Sequence, residues 1–213
     1  MRLRKKLLRG SRLYLLIDRD TLKGPAAAIA KEAAGAGIDI IQLRDKRSPK
    51  KTVLKTAFLL KQALKDTRAL FIVNDYADIA RLADSDGLHL GQSDMPLKEA
   101  RRLLGKEKII GVSCHNLKQA REAAGAGADY LAIGPVFRSA TKSRCRPIGI
   151  KVLKEVSKKM RIPVFAIGNI NGGNLEKITA CGIKRVAVCG AVLKAKDRIK
   201  AAREIISALR VRQ

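Results

Sequence analysis

Arg44 and Lys46 stand two residues apart where the apolar run Ile40-Ile41-Gln42-Leu43 ends. Side chains alternate between faces in an extended chain, so this spacing turns both cations to one side, along with Gln42. A guanidinium fork beside an ammonium suits an anion with several oxygens, such as a diphosphate. The plain alternative is a strand reaching water, where Lys and Arg are common. Similar clusters follow other apolar runs: Asn74 and Asp75, Gln92 and Asp94, Ser113 and His115, Thr141 and Lys142. Asp75 and Asp94 together supply two hard-oxygen donors of the kind that hold Mg2+ when phosphate oxygens and water complete its shell. Each also has a local alternative, a turn residue for Asp75 and a helix cap before Pro96 for Asp94. Gly168 and Gly190 follow two later apolar runs and precede predicted helix starts. That pattern lets backbone amides approach a phosphomonoester, although glycine there also serves an ordinary turn.

Bringing these clusters together requires a scaffold that ends many strands on one rim. Strand-like runs recur at 13–17, 40–43, 70–73, 87–90, 109–112, 130–133, 163–167 and 186–189. Helical stretches lie between them, over about 25–35, 48–65, 77–83, 96–105, 117–124, 150–159 and 171–180, and a last helix fills the C-terminus. Proline near several starts, Ser48 as a predicted cap, and Gly35, Gly105 and Gly125 at the ends supply the punctuation. Eight alternating units with right-handed crossovers make either a doubly wound open sheet or a closed barrel. Even spacing and the lack of G-x-G-x-x-G after the first strand favour the barrel. So does the echo of Ala34-Gly35-Ala36-Gly37-Ile38-Asp39 in Ala124-Gly125-Ala126-Gly127-Ala128-Asp129. The expected fold is α/β, a single (β/α)8 TIM barrel over 1–213 with a basic N-terminal extension at about 1–12. Active sites of such barrels lie at the strand C-termini, which places the polar clusters on one functional rim.

Composition narrows the class. With 46% hydrophobic and 3% aromatic residues, the core is built from Ile, Leu, Val and Ala, and disorder is excluded. No apolar run approaches the roughly 20 residues of a membrane span. The run after the basic start stops at Asp18, short of the roughly 7–15 apolar residues of a signal peptide; the acid-free start also has features of a transit peptide. Cys114, Cys145, Cys181 and Cys189 show neither C-x-x-C spacing nor a paired His, so reduced thiols in the cytoplasm are expected. The net charge of +26 comes from 45 Lys and Arg against 19 Asp and Glu, spread along nearly every predicted helix. With few aromatics to stack bases, it implies nonspecific polyanion binding rather than a specific nucleic-acid partner.

Several of these stretches carry a resemblance. Gln42-Leu43-Arg44-Asp45-Lys46, Val73-Asn74-Asp75, Gly87-Leu88-His89-Leu90-Gly91-Gln92-Ser93-Asp94, Gly111-Val112-Ser113-Cys114-His115, and Gly134-Pro135-Val136-Phe137 with Thr141-Lys142 resemble thiamine-phosphate synthase. The match runs in order over about 13–193. It implies a barrel joining hydroxymethylpyrimidine diphosphate to a thiazole monophosphate with Mg2+. Carried over by position, Gln42, Arg44, Lys46, Asn74, Ser113 and Lys142 would contact the pyrimidine diphosphate, with Arg44, Lys46, Ser113 and Lys142 acting in catalysis. Asp75 and Asp94 would bind the metal. Ser139, Thr141, Gly168, Asn169, Cys189 and Gly190 would surround the thiazole phosphate. The family mechanism this implies is dissociative: diphosphate leaves, and the thiazole nitrogen captures a pyrimidine methyl cation.

Departures from the family pattern fall on one side. Arg138-Ser139 stands where Pro-Thr is usual, Gly168-Asn169 where two glycines are usual, and Gly190 where Ser is usual. Two rivals stand beside the synthase: a thiazole tautomerase-like barrel, which needs no such combination of Arg44, Lys46, Asp75 and Asp94, and a noncatalytic basic barrel binding phosphate or RNA. Asp45, of opposite parity to its neighbours, is expected in a structural salt bridge.

Overall fold

Runs of Leu, Ile and Val bounded by Gly, Asp or Asn become strands because a parallel barrel buries both of their faces. In the computed structural model, which describes residues 2–138 and 146–210, eight parallel strands close in sequence order. They are β1 (Leu13–Asp18), β2 (Ile40–Arg44), β3 (Leu70–Asn74), β4 (Gly87–Leu90), β5 (Ile109–Cys114), β6 (Tyr130–Ile133), β7 (Val164–Ile167) and β8 (Val186–Val188). The ring closes where Leu13 of β1 pairs with Val186 of β8. The helices among the described residues are α1 (Arg2–Gly10), α2 (Ala26–Gly35), α3 (Lys50–Leu64), α4 (Ala77–Leu82), α5 (Leu97–Leu104), α6 (Leu117–Gly125), α7 (Gly149–Lys159), α8 (Leu175–Thr179), α9 (Gly190–Leu193) and α10 (Arg198–Arg210). This is the (β/α)8 barrel the sequence predicts.

Alternation divides every strand between two cores. Outward residues such as Leu15, Ile41, Val73, Leu88, Ile110 and Leu131 pack beneath the helices. Inward residues, among them Tyr14, Ile40, Ile72, Ile109, Tyr130 and Phe165, fill the axis. A Cβ on Gly111 would lie 2.0 Å from Tyr130 Cζ, so glycine is what leaves room for that ring.

The residues expected as a basic extension form α1, which covers the N-terminal end of the barrel and buries Leu8 against the axial residues. Three aspartates, each just before an even-numbered strand, hold the preceding odd strand by a backbone amide. Asp39 accepts from Leu13 at 3.0 Å, Asp86 from Phe71 at 2.9 Å and Asp129 from Ile110 at 2.9 Å. Two of them also anchor α1: Asp86 binds Arg4 at 2.8 Å and Asp129 binds Lys5 at 2.9 Å. Before β8 the matching residue is Arg185, which donates to the Arg9 carbonyl in the last turn of α1 at 2.8 Å. A cation there also suits the helix dipole.

Four local expectations change. The helix after β7 starts at Leu175 rather than Asn171, because asparagine side chains build a turn first. Asn174 Oδ1 accepts the Asn171 amide at 3.0 Å and Asn171 Oδ1 the Gly173 amide at 2.9 Å. The last helix is two helices, α9 and α10. Asp45 is buried, and instead of the expected salt bridge its Oδ1 accepts the amides of Arg47 at 3.1 Å and Ser48 at 2.9 Å. Ser48 does not cap α3, whose N-cap position is Pro49 with no side-chain bond.

Asp129→Ala strips one amide and two cations of their acceptor, since Arg101 also binds Asp129 at 2.5 Å. It should cost about 2–4 kcal/mol, read as a lower urea midpoint at unchanged slope. For Asp45, burial pushes the carboxyl up, but the Ser48 and Arg47 bonds and the Arg19 charge outweigh it and hold the group below its ordinary value. A depressed carboxylate stabilises the fold above its unfolded-state pKa, and that contribution fades as pH falls. Asp45→Ala should therefore cost about 1–3 kcal/mol at pH 7 and progressively less below about pH 4, measured by thermal melts across pH.

Candidate functional site

Arg44 ends β2 on the axial side, as Gln42 does, and the register sets it beside Asp18 at the end of β1. The two form an ion pair, and buried Asp18 also accepts from Thr21 Oγ1 at 3.1 Å. Because β2 stops at Arg44, strand parity does not carry as far as Lys46. Asp75 fixes it instead, with Oδ2 2.7 Å from the Lys46 ammonium. Asp75 follows β3 with φ at 64°, and its amide donates to the His89 carbonyl at 2.8 Å. Left-handed backbone in a non-glycine residue is a strain that clusters at functional sites. Buried Asn74 precedes it on the axial side of β3, opposite His89.

Asp94 lies in the loop after β4. Its Oδ2 accepts the Gly91 amide at 2.6 Å, so the carboxylate turns back toward the barrel and does not cap α5. The Asp75 and Asp94 carboxyls act on each other's protonation. Burial first, then Asp94, raises the Asp75 carboxyl, against the pull of Lys46. On Asp94, burial is outweighed by Asp75, the Gly91 amide, Lys46 and His89, which hold that carboxyl low. Two interacting carboxylates split in this way, and a hard cation between them would relieve the repulsion. Among the described residues no group of three or more His, Cys, Asp or Glu could hold a metal. Two oxygen donors beside an anion-binding rim still fit Mg2+, which keeps much of its water and takes phosphate oxygens.

Beneath these charges a chain of hydrogen bonds crosses the axis. Gln42 Nε2 donates to Tyr14 Oη at 2.6 Å, and the Tyr14 and Tyr130 hydroxyls meet at 2.9 Å. His89 Nδ1 lies 2.9 Å from Tyr130 Oη, and His89 Nε2 lies 2.9 Å from Ser113 Oγ. Burial raises both phenols, which stay protonated. Gln42 donates to Tyr14 throughout, and the donor and acceptor roles along the Tyr130, His89 and Ser113 links follow the protonation of the His89 ring.

A cavity of about 370 Å³ opens between the ends of β7, β8, β1 and β2, and Gly168, Asn169, Cys189 and Gly190 line it with Asp18, Arg44 and Lys194. Gly168 has φ at 112°, and a Cβ there would lie 2.5 Å from Pro135 Cα. Asn169 also has positive φ, 51°. Asparagine tolerates that region better than other side-chain-bearing residues, so the departure from glycine keeps the path of the loop. Burial raises the Cys189 thiol and pushes Cys114 up to about 12, so neither supplies a thiolate at neutral pH. Arg44 borders both regions. Ser139, Thr141 and Lys142 lie outside the described residues.

Sequence reasoning missed Asp18, Tyr14, Tyr130, His89 and Lys194. Asp18 shares parity with Tyr14, so the spacing argument used for Arg44 would have turned it inward as well. Two of the three tyrosines in the chain sit on axial positions, a signal in so aromatic-poor a sequence. Lys194 is one cation among 45 and has no such signal.

No helix among the described residues is long and apolar enough to cross a membrane. A family model described as thiamine monophosphate synthase matches residues 13–192. The chain is 41% identical over 208 residues to a thiamine-phosphate synthase of Synechococcus sp. (strain WH7803), covering 97% of this chain but 59% of that protein. It is 40% identical over 200 residues to a thiamine-phosphate synthase of Shouchella clausii (strain KSM-K16), covering 93% and 96% of the two chains. A solved structure of thiamine phosphate pyrophosphorylase from Pyrococcus furiosus superposes with a TM-score of 0.86 at 36% identity, covering 98% of this chain and 99% of that one. By fold, motif order and identity, the chain belongs to the thiamine monophosphate synthase family.

Proposed function

We propose that this chain joins hydroxymethylpyrimidine diphosphate to a thiazole monophosphate, releasing diphosphate and forming thiamine phosphate with Mg2+. The observation that carries the reading is the rim itself. Arg44 and Lys46 stand beside the interacting carboxylates Asp75 and Asp94, next to a cavity with room for a second small substrate. The names of the relatives support it.

In this reading Arg44 and Lys46 exchange their carboxylate partners for phosphate oxygens and stabilise the charge that grows on the departing diphosphate. Asn74 and Lys142 join them, Lys142 on its place in the family pattern. Asp75 and Asp94 would hold Mg2+, which when bound neutralises the diphosphate and improves it as a leaving group. The carbon–oxygen bond breaks with its electron pair passing to diphosphate, and the thiazole nitrogen forms the new bond to the pyrimidine methylene carbon. Gln42 and Ser113, at the two ends of the buried hydrogen-bond chain, orient the pyrimidine side. Ser139, Thr141, Gly168, Asn169, Cys189 and Gly190 surround the thiazole phosphate. Neither a general base nor a thiolate is required. The free thiols of Cys114, Cys181 and Cys189 suit a cytoplasmic setting.

A coupling assay with both substrates tests this directly. Thiamine phosphate should form only with the two substrates and Mg2+ present together, and folded protein that yields none would exclude the reading. Asp75→Ala and Lys142→Ala should each lower turnover by about 10²–10³-fold, whereas Ser139→Ala should act more mildly and on the acceptor side. RNA binding that persists in Asp75→Ala and Asp94→Ala while no product forms in wild type would favour a polyanion-binding barrel.

A further inference from the structure

The 370 Å³ cavity between β7, β8, β1 and β2 has three charged side chains among its described lining residues: Asp18, Arg44 and Lys194. Asp18 and Arg44 are bound to each other. Lys194 has no carboxylate within ion-pair distance among the described residues. The surplus positive charge of this wall therefore comes from Lys194. Lys194 is exposed, so its ammonium costs little to keep charged and can meet an anion entering from solvent.

Lys194 also stands in a particular relation to Gly190, one helical turn earlier, whose carbonyl accepts the Lys194 amide at 3.1 Å. A Cβ built on Gly190 would meet Lys194 Cδ at 3.6 Å, ordinary van der Waals contact. The lysine stem thus runs beside the space left open by the absence of a side chain at position 190. Resting on the coupling reaction proposed above, we propose that Lys194 is the specificity-determining cation for the phosphate of the thiazole acceptor.

Steady-state kinetics with each substrate varied tests this, with KM for the pyrimidine diphosphate as the internal reference. Lys194→Ala should raise KM for the thiazole phosphate about tenfold, and Lys194→Arg should retain most of the wild-type value. With the thiazole alcohol, which lacks the phosphate, wild type and Lys194→Ala should have equal KM. Adding Gly190→Ser to Lys194→Ala should recover part of the loss. An unchanged KM for the thiazole phosphate in Lys194→Ala, an equal rise for both substrates, or a loss that persists with the alcohol would each overturn the assignment. If wild type forms no product, the coupling reading fails by itself. Calorimetric titration with the thiazole phosphate then decides on Lys194: weaker binding to Lys194→Ala than to wild type upholds the site, and equal binding removes it.

Discussion

A polar side chain on the axis of a closed barrel can be satisfied only by other axial side chains, by backbone or by what enters from the rim. Tyr14, Gln42, His89, Ser113 and Tyr130 meet that condition jointly. Leaving one donor or acceptor unmet would cost about 1–3 kcal/mol, so the five residues constrain one another across β1, β2, β4, β5 and β6. The apolar floor of Ile40, Ile72, Ile109 and Phe165 fixes the height of the chain, and Gly111 gives the Tyr130 ring its space. Packing below and chemistry above therefore meet in one layer. The residues that orient the rim are the same ones that make the upper interior polar.

The rim charges are stored as pairs. In a chain of net charge +26, unpaired cations on adjacent loops would repel one another. Asp18 and Asp75 hold Arg44 and Lys46 in place instead. Both acids are largely buried and bonded by other groups, Asp18 by Thr21 and Asp75 through its amide to the His89 carbonyl, so the cations are positioned before any anion arrives. In the proposed reading an entering phosphate would compete with carboxylates that hold the cations in place, a form of preorganisation that lowers the ordering cost of binding. The opposite end of the barrel uses the same device structurally, with Asp86 and Asp129 tying a strand and α1 together.

Legibility in the sequence followed the range of the forces involved. Strand parity is local, so the barrel, the inward turn of Arg44 and Gln42, and the shared rim of Asn74, Asp75 and Ser113 could be read directly. The aspartate ring left a trace in the repeat of 34–39 at 124–129, although its role as an amide acceptor needed the pairing of strands. Asp45, and the cap alternative for Asp94, show where local reading fails. Both precede a proline-started helix, and both spend their carboxylates on loop amides instead of a cap or an ion pair. The choice rests on the path of the loop, which composition does not encode. The tyrosine–histidine chain was hidden for a different reason: its members lie as far as 116 residues apart and meet only when the ring closes.

The acceptor wall shows how departures from a family pattern can be absorbed without rebuilding the site. At 169 the demand is conformational, a backbone at φ 51°, and asparagine meets it at low steric cost while its carbonyl accepts from Asn174 Nδ2 at 2.8 Å. At 190 glycine offers an anion a backbone amide but no side chain. A residue one turn further along can supply one to the same wall, because α-helical geometry stacks positions four apart on one face. Gly190 and Lys194 are such a pair, and the contact between the lysine stem and the vacant Cβ position makes them one unit of the wall. In the proposed reading a long charged donor sets what the wall would reward: a hydroxyl requires a close, directed oxygen, whereas an ammonium on four methylenes follows an anion over several ångströms. Such a wall would bind by charge more than by fit.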